Sequence, residues 1–441
     1  MPLNPSQETA VKSCGFQLIL AGPGSGKTRV ITEKILHLID QGIPPNHILA
    51  LTFSDKAAAE MSDRIEEKRP HLDLDIHTFH SFCLDILKEN VLASGMSVSG
   101  GIISRTTQLV WGLRNIDAFG LAHIQVGNNS AEVIEAVIDG ISAFRDELIT
   151  PDILAEYLEK KRAVELPDEE RAYLGLLEDL LKVYRAYERY KRDEKLIDFD
   201  DMIHRAVHLL QANESVREAC RKRFRYILVD EFQDTNFAQY TLLKHLASVH
   251  GNIFCVGDPD QSIYSWRGAD YRNVERFEKD FPKAQVILLE QNYRSRQNIL
   301  DAATAVIDRN PHRRKKSLFS ERGAGEKLFY YEAMDDYSEA SFVVDTIANL
   351  VASKLGEAGE CAVMYRTNAQ SRLLEEAFLQ ARLPYRLVGA ETGASPASTA
   401  GRGVHGLAIL HGNRLEITVA GTDSAALAGI SDLDGQSFQA G

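Results

Sequence analysis

Six short apolar runs mark the first two thirds of the chain: FQLIL (16–20), ILALTF (48–53), DIHTF (75–79), YILVD (226–230), IFCVG (253–257) and VILLE (286–290). Near-continuous apolar runs of this length belong to strands covered on both faces, and their alternation with helical stretches predicts an α/β fold built on a parallel sheet. Between His77 and Tyr226 the rhythm breaks. That interval holds AEVIEAVIDGISAFRDEL and EERAYLGLLEDLLKVYRAYERYKRDEKL, which read as helix, and it is far longer than one crossover needs. A helical subdomain inserted into the sheet domain is the expectation.

A second α/β unit is expected from about Val286, continuing through the strand-like runs KLFYYEA and CAVMYRT and helices around EASFVVDTIANLVASKL and AQSRLLEEAFLQARL. From Glu391 the texture changes. ETGASPASTAGRG has linker composition, and the later runs GLAIL and LEITVA are too few for an independent core. The expected boundaries are therefore 1–90 with 195–283 for the first sheet domain, 91–194 for the helical insertion, 284–390 for the second unit and 391–441 for a Gly/Ala/Ser-rich tail.

At 441 residues, 44% of them apolar, the chain can bury more than one core. Its formal net charge of −13 weighs little against nucleic-acid binding, because a basic groove can lie on an acidic body. Five scattered cysteines without a C-x-x-C pair argue for reduced thiols rather than a disulfide or zinc framework. No run approaches a membrane span and the N-terminus does not read as a secretory signal, so a soluble, cytoplasmic protein is expected.

The strongest chemical signal is LILAGPGSGKTRV (18–30), an apolar strand, a glycine-rich loop and the start of a helix. In Ala21-Gly22-Pro23-Gly24-Ser25-Gly26-Lys27-Thr28 the glycines let backbone N–H groups curl around phosphates. Lys27 neutralises the β and γ phosphates and Thr28 offers a hydroxyl to Mg²⁺. Ala21 stands where the pattern usually has glycine. YILVDEFQDTN supplies Asp230 as a second metal partner and Glu231 to orient and deprotonate a water, although adjacent acids at a strand end also suit a solvated turn.

In VGDPDQSIYSWRGAD, Asp258 and Gln261 fall at the next strand's end, where the Gln261 amide could sense a γ-phosphate. Tyr264, Trp266 and Arg267 follow as a stacking platform with a cation for single-stranded nucleic acid, although Trp266 read in isolation is more often core packing. QNYRSRQNIL opens a helix with Tyr293, which could stack on a base, and Arg294, which could reach a γ-phosphate or simply face solvent.

These segments, in this order, resemble the UvrD/Rep/PcrA-type DNA helicases of helicase superfamily 1 over roughly residues 3–389. The resemblance implies two RecA-like domains, the second one partial, and an ATP- and Mg²⁺-dependent 3′-to-5′ DNA helicase acting on single-stranded DNA and single-strand/duplex junctions. It places Gln7 on the adenine edge and adds Arg29 to the phosphate loop. It puts Phe53 of LALTFSDKAAAEM near a base, with Asp55 where the family usually has Asn. It assigns HTFHSF (Thr78, Phe79, His80, Ser81) and MYRTNAQ (Arg366, Asn368) to DNA contacts. His80 read on its own would more often be structural. The acids of LIDFDDMI (Asp198, Asp200, Asp201) are expected to cap a helix and be solvated rather than to bind metal.

The family's last motifs do not follow PYRLVGA, so the chain reads as an N-terminal portion, its helicase activity needing a second chain for those motifs or being reduced. Three readings stand: a helicase, a nucleotide- and strand-binding protein that does not unwind, and an unrelated phosphate-loop enzyme such as a small-molecule kinase. The Tyr264/Trp266 platform and the Asp230/Glu231 pair count against the third.

Overall fold

The computed structural model describes residues 2–387 except 96–100, 166, 266–267 and 311–312. Each of the six apolar runs forms a strand: β1 (Phe16–Ala21), β2 (Ile48–Thr52), β3 (Asp75–Thr78), β4 (Tyr226–Val229), β5 (Ile253–Gly257) and β6 (Gln285–Leu289). They form one parallel sheet in the order β3-β2-β4-β5-β1-β6. Because every strand runs the same way, the loops leaving β1, β4 and β5 emerge side by side on one edge, where open α/β sheets bind ligands.

Ahead of the insertion come α1 (Pro5–Lys12), α2 (Lys27–Asp40), α3 (Asp55–Glu66) and α4 (Phe79–Glu89). The insertion holds α5 (Val91–Ser94), α6 (Arg105–Asn115), α7 (Ser130–Asp146), α8 (Pro151–Arg162) and α9 (Asp168–Asp193). The return to the sheet adds α10 (Phe199–Ala212), α11 (Glu214–Arg223), α12 (Phe237–Ala247) and α13 (Asn273–Asp280).

Successive strand residues face opposite sides, which is why the runs are apolar throughout. Leu18 and Leu20 of β1, Leu49 and Leu51 of β2 and Ile227 and Val229 of β4 pack with α4, α10, α12 and α13. Ile19, Ala50, Leu228 and Phe254 pack on the other face with α1, α2 and α3.

The helical insertion has two small cores of its own, one around Trp111, Ile138, Tyr184 and Tyr187, the other around Leu154, Leu158, Leu174 and Leu177. A parallel bridge between Ile102 and Ile197 closes its neck. Asp198 caps α10 as expected, accepting from the Asp201 N–H at 2.8 Å. The expected solvation is corrected, because Asp198 and Asp201 are buried. Arg145 donates to both Asp198 oxygens at 2.8 and 2.7 Å, Lys191 donates to Asp201 at 2.9 Å, and Ser142 donates to Asp200 at 2.7 Å. Burial would raise the Asp198 carboxyl, but Arg145 and then Lys191 override it and hold it far below its usual range.

The compact units divide later in the chain than the expected boundary at 284. β6 was assigned to the second unit, yet it pairs with β1 throughout its length, since Val286, Ile287 and Leu288 need the first sheet's edge to satisfy their backbone and bury their side chains. The first compact unit runs to Arg294 and takes in 307–319, while the second comprises 295–306 and 320 onward.

In the second unit, α14 (Gln297–Ile307), α15 (Asp336–Ala352) and α16 (Asn368–Gln380) are formed, and Val343, Val344, Ile347, Val363 and Phe378 make its core. The runs at 327–333 and 361–367 form no strand among the described residues. Leu328, Phe329, Tyr330 and Tyr331 stay largely exposed, with no described strand beside them to pair with. The tail at 391–441 lies outside the described residues.

Candidate functional site

The phosphate loop takes its shape from backbone that favours glycine. Gly24 and Gly26 have φ of 61° and 85°, and Gly26 caps the N-terminus of α2, the end of a helix where the dipole favours anions. The chain's N-terminus buttresses this loop. Asn4 and Gln7 form a capping box on α1, and Gln7, fully buried, donates to the Ser25 carbonyl at 2.9 Å.

The segment after β6 closes the other side. Asn292 donates to the Pro23 carbonyl at 2.5 Å and the Tyr293 N–H donates to the Gly24 carbonyl at 2.9 Å. The Tyr293 hydroxyl sits among Asn4 and Gln291 at 2.8 and 2.9 Å. A Cβ on Gly24 would lie 2.7 Å from the Arg294 Cβ, which brings Arg294 directly over the loop. The predicted residues Gln7, Ala21 to Thr28, Tyr293 and Arg294 thus converge on one site, with Arg29 in the first turn of α2.

The acidic side is supplied by the loops after β4 and β5. Lys27 donates to Glu231 at 2.6 Å and to Gln261 at 3.2 Å. Glu231 has left-handed backbone, φ 47°, which directs its carboxylate back toward Lys27 and Gln233. Burial first and Glu231 second push the Asp230 carboxyl up to about 6, and the same two causes push Asp234 up to about 7. One Asp234 oxygen, Oδ1, is buried without a hydrogen-bond partner.

Carboxyls crowded enough to resist ionisation, with an orphaned oxygen, suit a nearby cation. Among the described residues no three acidic, His or Cys groups form a cage by themselves.

Sequence reading missed two cations here. Lys316, almost fully buried, pairs with Asp258 and lies 2.9 Å from Asp260, and Arg313 donates to Asp260 at 3.1 Å. Asp258 in turn accepts from Gln261 at 2.6 Å, so Lys316 reaches Gln261 through one carboxylate. The only signal was the basic run Arg313-Arg314-Lys315-Lys316, which no spacing rule connects to residue 258.

Three residues beyond Gln261, Tyr264 stacks on Phe53 from the loop after β2, ring centroids 5.2 Å apart and planes 22° from parallel. Phe53 is 36% exposed, so the pair presents an aromatic face. Trp266 and Arg267 lie outside the described residues. His80 meets the exposed Phe199 edge to face. Two residues expected at DNA contacts are engaged within the protein. Phe79 is buried in the sheet core, where the first residue of α4 must point, and the Thr78 hydroxyl is engaged in a capping box with Ser81. Asp55 opens α3, where the helix dipole favours its charge. In the second unit, Arg366 is exposed and Asn368 begins α16.

Residues 3–282 match the UvrD/REP helicase N-terminal domain, and residues 287–392 match the UvrD-like helicase C-terminal domain. The chain belongs to the UvrD/REP helicase family. Similar relatives include the ATP-dependent DNA helicase PcrA of Leuconostoc citreum, 38% identical over 392 residues that cover 88% of this chain and 50% of that protein. The PcrA proteins of Staphylococcus epidermidis and Staphylococcus aureus are 40% identical over 397 and 394 residues, covering 88% of this chain and 51% of theirs. This UvrD/REP family chain therefore spans about half the length of the curated relatives it matches. Among its described residues no helix is long and apolar enough to cross a membrane.

Proposed function

We propose that the chain binds ATP and single-stranded DNA and couples hydrolysis of the one to movement along the other, in the 3′-to-5′ sense and up to single-strand/duplex junctions. The observation that carries this reading is the short link from Gln261, which touches Lys27 of the phosphate loop, to Tyr264, which stacks on Phe53. A phosphate contact and a base-stacking surface three residues apart are what a nucleotide-driven grip on DNA requires. A small-molecule kinase has no use for the second.

In this reading Lys27 exchanges its contacts with Glu231 and Gln261 for the β and γ phosphates. Glu231, released from Lys27, orients the attacking water and takes its proton, while Gln261 and Arg294 stabilise charge on the transferred phosphoryl group. Gln7, already anchored on Ser25, lies beside the loop to read adenine. Thr28 and Asp230 would hold Mg²⁺, which when bound offsets charge on the phosphates. Relatives named ATP-dependent DNA helicases support the assignment.

The test is ATP hydrolysis by the purified chain with and without single-stranded DNA, with Lys27→Ala as the blank. Stimulation by DNA, absent in the variant, is expected. Hydrolysis indifferent to DNA would refute the coupling. Nucleotide and DNA binding without hydrolysis would confine the chain to recognition.

A further inference from the structure

The last turn of α7, in the helical insertion, touches both loops that the proposed mechanism couples. Asp146 ends this helix and accepts a hydrogen bond from the Asn236 side chain at 2.5 Å. Asn236 is no passive neighbour. It follows the Glu231 loop and caps α12, its own oxygen accepting from the Gln239 N–H at 2.8 Å.

The second Asp146 oxygen lies against Gly268, four residues past Tyr264. A Cβ built on Gly268 would sit 2.1 Å from it, and Gly268 has φ +80°. Glycine there allows both the turn and the close approach. On their other side the same two loops are already joined, by the Asp270 N–H donating to the Thr235 carbonyl at 3.0 Å and by Asn273 donating to it at 2.8 Å. Asp146 closes the ring from the helical insertion.

Its position is firmly set. Arg145, the preceding residue, is caged by Asp198, Asp201 and Glu188. Just beyond, Leu148 takes left-handed backbone, φ 57°, a conformation that a non-glycine residue adopts only when its surroundings hold it there. It ends the helix through N–H bonds to the Arg145 and Phe144 carbonyls from Leu148 and Ile149, and the Leu148 side chain packs against the sheet core. The turn is thus fixed both to the insertion and to the sheet domain.

We propose that Asp146 is a positioning residue that sets the spacing between the Glu231 loop and the Tyr264 loop, so that nucleotide occupancy and affinity for single-stranded DNA are coupled through it. This rests on the functional reading given above. Asp146 is not among the residues placed on phosphate or base in that reading. Its removal should therefore leave each ligand's own affinity in place and uncouple the two.

The experiment measures anisotropy of a dye-labelled oligothymidine titrated with the full chain, with and without a non-hydrolysable ATP analogue. For the wild type the two dissociation constants should differ within the range of about 5- to 150-fold usual for coupled sites. Asp146→Ala should bring that ratio towards one, with the nucleotide-free constant changed by no more than about twofold, a change worth under half a kcal/mol. Asp146→Asn keeps an oxygen for Asn236 and should restore most of the ratio. If Asp146→Ala does not fold by circular dichroism, Asp146→Ser, too short to reach Asn236, carries the same expectation.

A wild-type ratio retained in these variants overturns this inference alone. Equal loss of nucleotide-free binding in the Ala and Asn variants also overturns it, because that is the mark of a purely structural role. A wild type that binds DNA with a ratio of one removes the coupling and this inference with it. A wild type that does not bind DNA at all refutes the functional reading itself.

Discussion

Replacing Lys316 by methionine isolates one of the two cations that sequence reading missed. Its side chain is 2% exposed and that of Asp258 is 0% exposed, so solvent screens the pair very little. Methionine has similar length, so the change removes charge and hydrogen bonds more than volume. Removing one partner of a buried pair typically costs about 3–5 kcal/mol, because the other charge stays buried. At about 1.4 kcal/mol per decade this lowers the folding equilibrium of the sheet domain by roughly two to three and a half orders of magnitude. Urea denaturation followed by circular dichroism measures it. The double variant Lys316→Met/Asp258→Asn leaves no unpaired charge and should recover a large part of the loss, giving a coupling energy well above the few tenths of a kcal/mol expected for independent sites. A loss below about 1 kcal/mol, the range of exposed pairs, would refute the burial of Lys316 on Asp258. So would strict additivity in the double variant.

Three further outcomes follow from the same geometry. Glu231→Gln should keep nucleotide binding, read by calorimetry, and lower hydrolysis by about 10²- to 10⁴-fold, the usual contribution of a positioned base; lost binding would contradict its role. Tyr264→Ala and Phe53→Ala should each weaken oligothymidine binding by about 1–3 kcal/mol if a base stacks there, whereas an unfolded variant would mean the pair is packing only. The raised carboxyls of Asp230, to about 6, and Asp234, to about 7, make a signed prediction. A folded-state value above the unfolded one contributes stability that is complete below about pH 4 and is lost as pH rises through the folded value. The Mg²⁺-free protein should therefore lose stability between about pH 4 and 7 from these groups, and Asp234→Asn should flatten that slope in thermal melts. An unchanged slope would place the titration elsewhere.

The sheet was legible because its strands are covered on both faces, which writes them as continuous apolar runs between helices. The phosphate loop and the acids after β4 were legible for a different reason, since strand, glycine and charge follow one another locally. Register between distant segments was not. VILLE looks like the start of a new unit in sequence, and only pairing with β1 shows otherwise. Phe79 was placed at a DNA contact because its neighbours carry that motif, while the direction of its side chain is decided by the first turn of α4. Asp198, Asp200 and Asp201 looked solvated because their partners, Arg145, Lys191 and Ser142, lie on other helices. Lys316 and Asp146 escaped for the same reason. Each acts across a gap in sequence that no local pattern spans.

The stacking of Phe53 on Tyr264 has a consequence for the energy landscape along a bound strand. On the proposed function, a base inserting between the rings would first have to part them, giving up about 0.5–1.5 kcal/mol of aromatic pairing to gain about 1–3 kcal/mol of stacking. The net well is shallow, of order one kcal/mol, and nearly the same for every base because each offers a flat face. When a base leaves, the rings close on each other rather than on water, which lowers the barrier to the next step. On the proposed function, a deep, selective pocket would stall passage along an arbitrary sequence, whereas a self-closing pair would leave a smooth track.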